Sequence, residues 1–476
     1  MKRIIHLVLC VGVLVCCMGC TTTPKMTDEI VLQTAREAYM YAMPLVVMDL
    51  TMKNMTNPDL SGKRDVRRVN QFSHSREIFT AKDRMVVRPN IDTLYSNGWL
   101  DLSKEPVVFS KPDTRDIYCS IAVFDAHTNC QYVLGSGGID NGKAAVYVFC
   151  GPDYDVPTPP GIIKLNMPTN MVWLIGRTEN LPGRLNDIYA IQDKLTLVPL
   201  SQKNNAGYIP SDGVYNPDHV YEPKGKLEGM DIVSFFNAFN SLLTANPGTA
   251  ADKPALDKFA KIGVGAGLTF NLKSFSSKTQ KALQELPRDI TKALGTPEYI
   301  VRYSDIVNGW LNMDNDIARW GTNYEYRAII ALTGLGANPA DMAIYPSALG
   351  AVEIKPGSDP QPHGLDGKTA SYAIHFKLND LPTCAFWSIT VYDKEGFFYE
   401  NLYGDDLYAI TDKYNLEENL PGQATVLMQH QKPVSGNAKN WLPIPNDAFQ
   451  LTMRIYLPGE KILSGEWKPP VIVVVP

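Results

Sequence analysis

The chain has 476 residues, a formal net charge of −5, and 10% aromatic residues including 23 Tyr. That length suits two or three domains, and the aromatic content supports well-packed β structure and aromatic-lined clefts rather than disorder. Lys and Arg are dispersed, so no basic footprint for nucleic acid is present. The 34 Pro and 35 Gly punctuate many short segments, as multi-stranded folds require.

Residues 1–20 read as an export signal. Lys2 and Arg3 supply the positive end, and Ile4–Val15 is an apolar run too short to span a bilayer stably. It ends at Cys17-Met18-Gly19-Cys20, a small residue just before a cysteine, which resembles a bacterial lipoprotein signal with Cys20 as the lipid-carrying residue. Cys17 stands where Leu is commoner. Residues 21–27 form a tether. The expectation is an exported, lipid-anchored protein of the cell envelope, at the outer membrane or the periplasmic face, held without spanning. Removing the signal leaves Cys119, Cys130, Cys150 and Cys384 beside Cys20. A Cys119–Cys130 cross-strand bridge and four buried thiols are both open readings, and the spacing favours thiols because it lacks a metal or redox signature.

Asp28–Met43 is an amphipathic helix carrying Val31, Ala35, Ala38 and Ala42 on one stripe, and Pro44 is expected to kink or restart it. Ser61–Arg68 is a charged loop. Val87–Leu102 is the stretch that reads least like packing alone. Pro89 and Asn90 make a turn, after which the pattern switches to period two. Leu94, Ser96, Gly98, Leu100 and Leu102 share one strand face, and Thr93, Tyr95, Asn97, Trp99 and Asp101 share the other. Arg88, Asn90, Asp92, Thr93 and Tyr95 then gather at one strand mouth, the layout of a small polar ligand site. A plain capped turn, with Asn90 and Asp92 satisfying backbone N–H groups, uses the same residues.

Short strands follow at Ile117–Phe124, Gln131–Leu134, Ala144–Cys150, Ile162–Leu165 and Met171–Arg177, a β-sandwich signature for residues 28–200. Asp125 and His127 stand in a polar loop between two of them, where Asp125 is placed to orient His127 as a base. Residues 201–340 open with a long loop, Ser201–Lys226, and continue as helices, including Ile232, Phe236, Phe239 and Leu243 on one stripe. Lys278–Leu294 is interrupted at Pro287, and Tyr324 begins a further helix. Strands return over residues 341–476: Tyr372–Leu378, Ala385–Tyr392, Phe397–Asn401, Thr425–His430, Phe449–Leu457 and Val471–Val475. Asp393-Lys394-Glu395-Gly396 is a hairpin turn with glycine at a positive-φ position. No two of the six histidines beyond the signal share metal-ligand spacing, and no dinucleotide, Walker or nucleophile-elbow motif occurs, so no metal or cofactor is implied.

Several runs together resemble one paired family, the domain of unknown function 1254 followed by the domain of unknown function 1214. They are Arg88–Ser96 with Trp99–Leu102; Pro168-Thr169-Asn170 before Val172–Arg177; Tyr324 with Arg327-Ala328; Gly334–Asn338 before Tyr345-Pro346; Trp387–Asp393; Gly396–Phe398; Asn440-Trp441-Leu442-Pro443; and Gly465–Pro470. The resemblance implies a multidomain α+β protein: an immunoglobulin-like sandwich, a helical middle region and a C-terminal jelly-roll β-sandwich. It implies no reaction. The chain departs from the family pattern at Leu407, where a basic residue is usual, and at His127, where an aromatic is usual.

Two functions fit. One is an enzyme or binding protein for a small organic or sugar-like ligand, its site lying between the two β domains and drawing on Arg88, Asn90, Asp92, Tyr95, Tyr392, Asp393, Asn440 and Trp441, with Asp92 expected to pair with Arg88. Asn440-Trp441 offers an amide beside an aromatic platform, and equally a buried corner plug. The other function is a non-catalytic structural or interaction module of the envelope. Neither excludes a homo-oligomer.

Overall fold

The computed structural model describes residues 26–59, 66–84, 87–155, 157–211, 213–354, 361–401, 403, 407–412, 416–433 and 440–475. Cys20 and the stretch read as an export signal lie outside them. Helix α1 (Asp28–Met55) opens the fold, capped by Thr27 Oγ1, which accepts from Ile30 N. Pro44 does not end it. Every residue from Tyr41 to Thr51 is buried, and burying apolar side chains at about 1.5–3 kcal/mol each outweighs the roughly 3 kcal/mol cost of an interior proline. Pro287 is tolerated inside the later helix Ser277–Leu294 for the same reason, with Leu283, Leu286 and Ile290 buried around it.

The N-terminal strands are β1 (Gln71–His74), β2 (Thr93–Asp101), β3 (Val107–Lys111), β4 (Cys119–Asp125), β5 (Cys130–Gly135), β6 (Ala145–Cys150), β7 (Ile163–Asn166), β8 (Met171–Glu179) and, after helix α2 (Leu185–Asp193), β9 (Thr196–Pro199). One antiparallel sheet has the order β1-β2-β8-β4-β5 and a second has β7-β6-β3-β9. They share a core of Leu100, Phe109, Ile121, Phe149, Leu174 and Leu197. Cys119, Cys130 and Cys150 are free thiols and are buried. Cys130 pairs with Phe124 at the turn end of the β4–β5 hairpin, far from Cys119 at its open end.

The middle region supplies α3 (Pro223–Glu228), α4 (Ile232–Ala245), α5 (Lys253–Ala260), α6 (Ser277–Leu294), α7 (Pro297–Ile300) and α8 (Tyr324–Thr333). α7 packs against α6, and α3, α4, α5, α6 and α8 pack around α1 as one layer. Its core of Tyr41, Phe235, Phe239, Phe259 and Tyr326 runs on into Trp99, Phe124, Trp173 and Ile175 of the first sheet. Trp99 and Trp173, cross-strand partners, stack with ring centres 4.6 Å apart. The first sheet is therefore covered on both faces, and β8 is buried along its whole length.

Two further sheets form the C-terminal part. Its strands are β10 (Ser304–Val307), β11 (Trp310–Met313), β12 (Ala343–Ile344), β13 (Ser347–Ala348), β14 (Ala351–Glu353), β15 (Gln361–His363), β16 (Ser371–Lys377), β17 (Phe386–Asp393), β18 (Ala409–Thr411), β19 (Gln423–Gln429), β20 (Trp441–Pro443), β21 (Phe449–Tyr456) and, after helix α9 (Glu460–Leu463), β22 (Ile472–Val475). The third sheet runs β10-β11-β13-β21-β17-β18, with β12 also on β21; the fourth runs β15-β14-β22-β16-β19-β20. Trp310, Ile374, Trp387, Val426 and Met453 join them. The hairpin Ser304–Met313 thus comes from the middle region and pairs with the third sheet through Trp310 and Ala348. Gly396 adopts φ +87 in the turn after β17, but Phe397–Asn401 continues as irregular chain rather than as a strand.

The loop after α8 is held against β8 by Gly336. Its φ is +80, and a Cβ there would lie 2.5 Å from Ile175 Cδ1 and 3.1 Å from Trp173. Gly336→Ala is expected to destabilise the protein by about 2–3 kcal/mol from strain plus overpacking. Gly334→Ala, where the nearest atom is 3.9 Å away, should cost less than about 0.5 kcal/mol. Urea unfolding of the two variants checks this pair.

Candidate functional site

The turn before β2 carries the site. Arg88 takes φ +53. Asn90 Oδ1 accepts from Asp92 N at 2.7 Å, closing the turn. That leaves Asn90 Nδ2 to donate to Thr93 Oγ1 at 3.0 Å, Tyr95 Oη at 3.3 Å and Tyr456 Oη at 2.9 Å. Opposite stands the third sheet. Period two along β17 and β21 sends Trp387, Ile389, Val391, Met453 and Ile455 into the C-terminal core. The alternate positions, Ser388, Thr390, Tyr392, Arg454 and Tyr456, are left for the N-terminal domain. Ser388 Oγ donates to Asp92 Oδ2 at 2.6 Å, and Tyr456 Oη approaches the same oxygen at 3.4 Å. Arg454 donates to Thr390 Oγ1 at 3.0 Å and to Arg88 O at 3.0 Å. Tyr392 Oη donates to Pro89 O at 2.9 Å.

A second guanidinium completes the seam. Arg177 on β8 is the register partner of Tyr95 on β2. It lies 5.4 Å from the Tyr95 ring centre and donates to Asn338 Oδ1 at 2.6 Å and Gly336 O at 2.8 Å. Asn338 Nδ2 donates in turn to Tyr345 Oη at 3.1 Å.

Burial decides the electrostatics. It pushes the Asp92 carboxyl up, and Arg454 with the Ser388 and Tyr456 hydroxyls only partly pulls it back. Asp92 Oδ1 is buried without a partner. Burial and the Asp92 charge drive the Tyr456 phenol well above its ordinary value. Burial also works to raise Tyr95, but Arg177 and Asn90 outweigh it and hold that phenol below its ordinary value. Two phenols sharing one amide donor are thus driven in opposite directions, the arrangement that separates a proton acceptor from a proton donor.

Tyr345 links this seam to the surface. It forms part of the wall of a cleft of about 400 Å³ between the β10–β11 hairpin, residues 340–346 and the segment after α9. Asn312, Asp314, Asn315, Asp305, Lys468, Arg302 and Trp467 also line it. Arg302 is engaged by Glu298 and Glu325. Among the described residues, Asp305 and Lys468 make no ion pair.

Of the residues singled out from sequence, Arg88, Asn90, Asp92, Tyr95 and Tyr392 do come together. Their pairing differs from expectation: the Arg88 guanidinium turns to Gln450 and Ser347, and the cation facing Asp92 is Arg454. Asp393 caps the following turn, accepting from Glu395 N and Phe397 N, and pairs with Arg84 at 3.2 Å. Asn440 and Trp441 belong to the fourth sheet and do not join the seam. The Asn440 side chain holds Glu417 N and O, and Trp441 Nε1 donates to Gln429 O, so both are spent as a corner plug. Asp125 does not orient the His127 ring. Its oxygens accept from His127 N, Asn129 N, Asn129 Nδ2 and Gln131 Nε2, which closes its own loop. Sequence reasoning missed Arg177, Ser388, Arg454, Tyr456 and Tyr345 as site members. The signal present was polar residues at alternate positions of otherwise apolar strands.

Two family models match the chain: Protein of unknown function (DUF1254) over residues 69–199 and Protein of unknown function (DUF1214) over residues 350–460. The chain belongs to the family that pairs these two domains. The two matches contain opposite walls of the seam, Asp92 and Arg177 in the first and Ser388 and Arg454 in the second. Among solved structures, the VPA0106 protein from Vibrio parahaemolyticus is similar at 21% identity and a TM-score of 0.66, over 94% of this chain and 100% of that one, which shows a shared mixed α+β fold. An uncharacterized protein from Burkholderia cenocepacia aligns at 11% identity and a TM-score of 0.41, over 94% of each chain. No curated protein matches.

The raised Asp92 carboxyl has a pH signature. The folded state holds this proton where the unfolded chain has lost it, so stability falls as pH rises from the ordinary carboxylate range up through the raised value. Asp92→Asn cannot titrate. Unfolding free energies of both proteins measured from pH 4 to 8 should show the wild type losing stability relative to the variant as pH rises. A pH-independent difference would mean that Asp92 is charged throughout.

Proposed function

We propose that the protein is an exported, lipid-anchored envelope protein that binds a small, hydroxyl-rich molecule of sugar-like size in the cleft at Tyr345. The carrying observation is that Tyr345 belongs both to the cleft wall and, through Asn338, to the buried Arg177–Tyr95–Asn90–Asp92 network. Amides, carboxylates, an uncommitted ammonium and an indole around one hollow are the groups that orient a polar ring-shaped ligand by hydrogen bonds and packing. The opposed Tyr95 and Tyr456 phenols favour proton transfer as an accompanying activity. The alternative, a non-catalytic envelope module, draws support from the seam itself, where Asp92 is 7% exposed and Arg454 4% exposed. We also read the N-terminal pair of sheets as immunoglobulin-like and the C-terminal pair as a jelly roll; two sheets around one core in each support this.

Saturation-transfer NMR of the mature protein against a panel of mono- and disaccharides and uronic acids tests the ligand. Tyr345→Phe should weaken any binder about tenfold, or about 1.4 kcal/mol, without lowering the melting temperature by more than a few degrees. No binding across the panel at millimolar concentration would sink the sugar-like reading in favour of the envelope module.

The anchor is tested separately. On this reading membrane attachment falls to Cys20, whose acyl chains contribute about 0.8 kcal/mol per buried methylene. Cys20→Ser should move the protein from the membrane fraction to the soluble fraction, as read by fractionation and immunoblot.

A further inference from the structure

A second buried polar centre lies between α1, α8 and the turn joining β4 to β5. Arg327 on α8 is 1% exposed, yet among the described residues no carboxylate lies within ion-pair distance of it. A guanidinium stays charged in any protein environment, and a buried charge without a counter-charge is costly. Arg327 Nη2 donates to Tyr41 O at 3.3 Å, a long bond, and Nε is buried with no partner. Its Cζ stands 4.8 Å from the Tyr41 ring centre and 5.1 Å from that of Tyr324. These contacts offset part of the charge but leave the donor unused.

Two other unused groups surround the same ring. Tyr41 Oη and His127 Nδ1 are buried without partners, and the Tyr41 and His127 rings are 5.8 Å apart. His127 Nε2 is engaged by Asn246 O at 3.1 Å, and since a carbonyl only accepts, that nitrogen carries a proton. Gly248 brings bare backbone up to the phenol: a Cβ there would lie 2.5 Å from Tyr41 Oη. The nearby carboxylate is already engaged. Asp252 accepts from Tyr324 Oη at 2.9 Å and from Thr249 N and Oγ1. A buried cation with an unused donor and two further unpartnered polar groups beside it is what a native interior rarely leaves without a bound species.

We propose that this centre is a binding site for a small monovalent anion, a halide or a carboxylate, held by Arg327 Nε and Tyr41 Oη. The anion supplies the missing counter-charge and also favours the charged form of the neighbouring His127 ring, in which Nδ1 becomes a third donor. Without the anion, burial and then Arg327 hold that ring toward its neutral form, while Asp125 and Asp252 favour the charged one. The site is separate from the Asp92 seam and from the cleft at Tyr345.

The probe is bromide. Crystals of the mature protein soaked in sodium bromide should show an anomalous peak within hydrogen-bond distance of Arg327 Nε. At fixed ionic strength, replacing gluconate by bromide should raise the melting temperature. Tyr41→Phe keeps the ring and removes the hydroxyl, so it should weaken bromide binding about tenfold while the protein still folds. Arg327→Gln should abolish bromide-dependent stabilisation. Density for water alone at that position, with no difference between bromide and gluconate in the wild type, would overturn the proposal. So would undiminished bromide stabilisation in Tyr41→Phe.

Discussion

Two guanidiniums held out of water where the first sheet meets the third sheet impose most of the order in this molecule. Neither Arg177 nor Arg454 can lose its charge, so each must be surrounded by acceptors placed before folding ends. Arg454 recruits a threonine hydroxyl and the carbonyl of Arg88, and Arg177 recruits an amide oxygen and the carbonyl of Gly336. Apart from Thr390 on β17, those acceptors come from the turn before β2 and the loop after α8. The cations therefore specify which loops meet, and the position of Asp92 and Tyr95 follows. Removing one partner from such an arrangement typically costs about 3–5 kcal/mol because a buried charge is left uncompensated.

The same constraint shapes the chemistry. Asn90 serves four groups with one amide: its oxygen closes a turn, and its nitrogen reaches Thr93, Tyr95 and Tyr456. Tyr95, beside Arg177, and Tyr456, beside Asp92, then meet opposite fields only a few ångströms apart. A site of this type is stiff, since each side chain is fixed by two elements. The cleft at Tyr345 is the open part, lined by a hairpin, a loop and the chain after α9. Rigid polarity behind an open hollow is how a binding site keeps orientation while admitting a ligand.

The helical layer has its own role. By covering the outer face of the first sheet with α1 and its neighbours, it makes a sheet that would otherwise face water into a central layer. Pro44 and Pro287 sit within helices because the helix is buried throughout around Pro44 and because Leu283, Leu286 and Ile290 are buried on the face that carries Pro287. The layer also buries His127 and Arg327 beside the aromatic rings of Tyr41 and Tyr324, well away from the seam.

What the residues determined by themselves was local. The alternation in Val87–Leu102 placed the strand and its faces, and Gly396 marked its turn, since φ preferences and side-chain period act over a few residues. The α+β character and the pairing of two domain families were legible for the same reason, in runs such as Arg88–Ser96 and Trp387–Asp393. Tertiary structure alone decided the partners. Asp92 faces Arg454 across 362 positions of sequence rather than Arg88 four residues away, because β17 and β21 turn their polar face toward the turn before β2 while the Arg88 side chain points out to Gln450. Asn440 and Trp441 carry the right chemistry but belong to the fourth sheet, where backbone groups consume their hydrogen bonds. His127 was legible as unusual, but its neighbours were not, because they come from helices that only packing brings to it. Hydrogen-bond partners across a domain seam depend on which faces burial selects, and no short stretch of chain contains that choice.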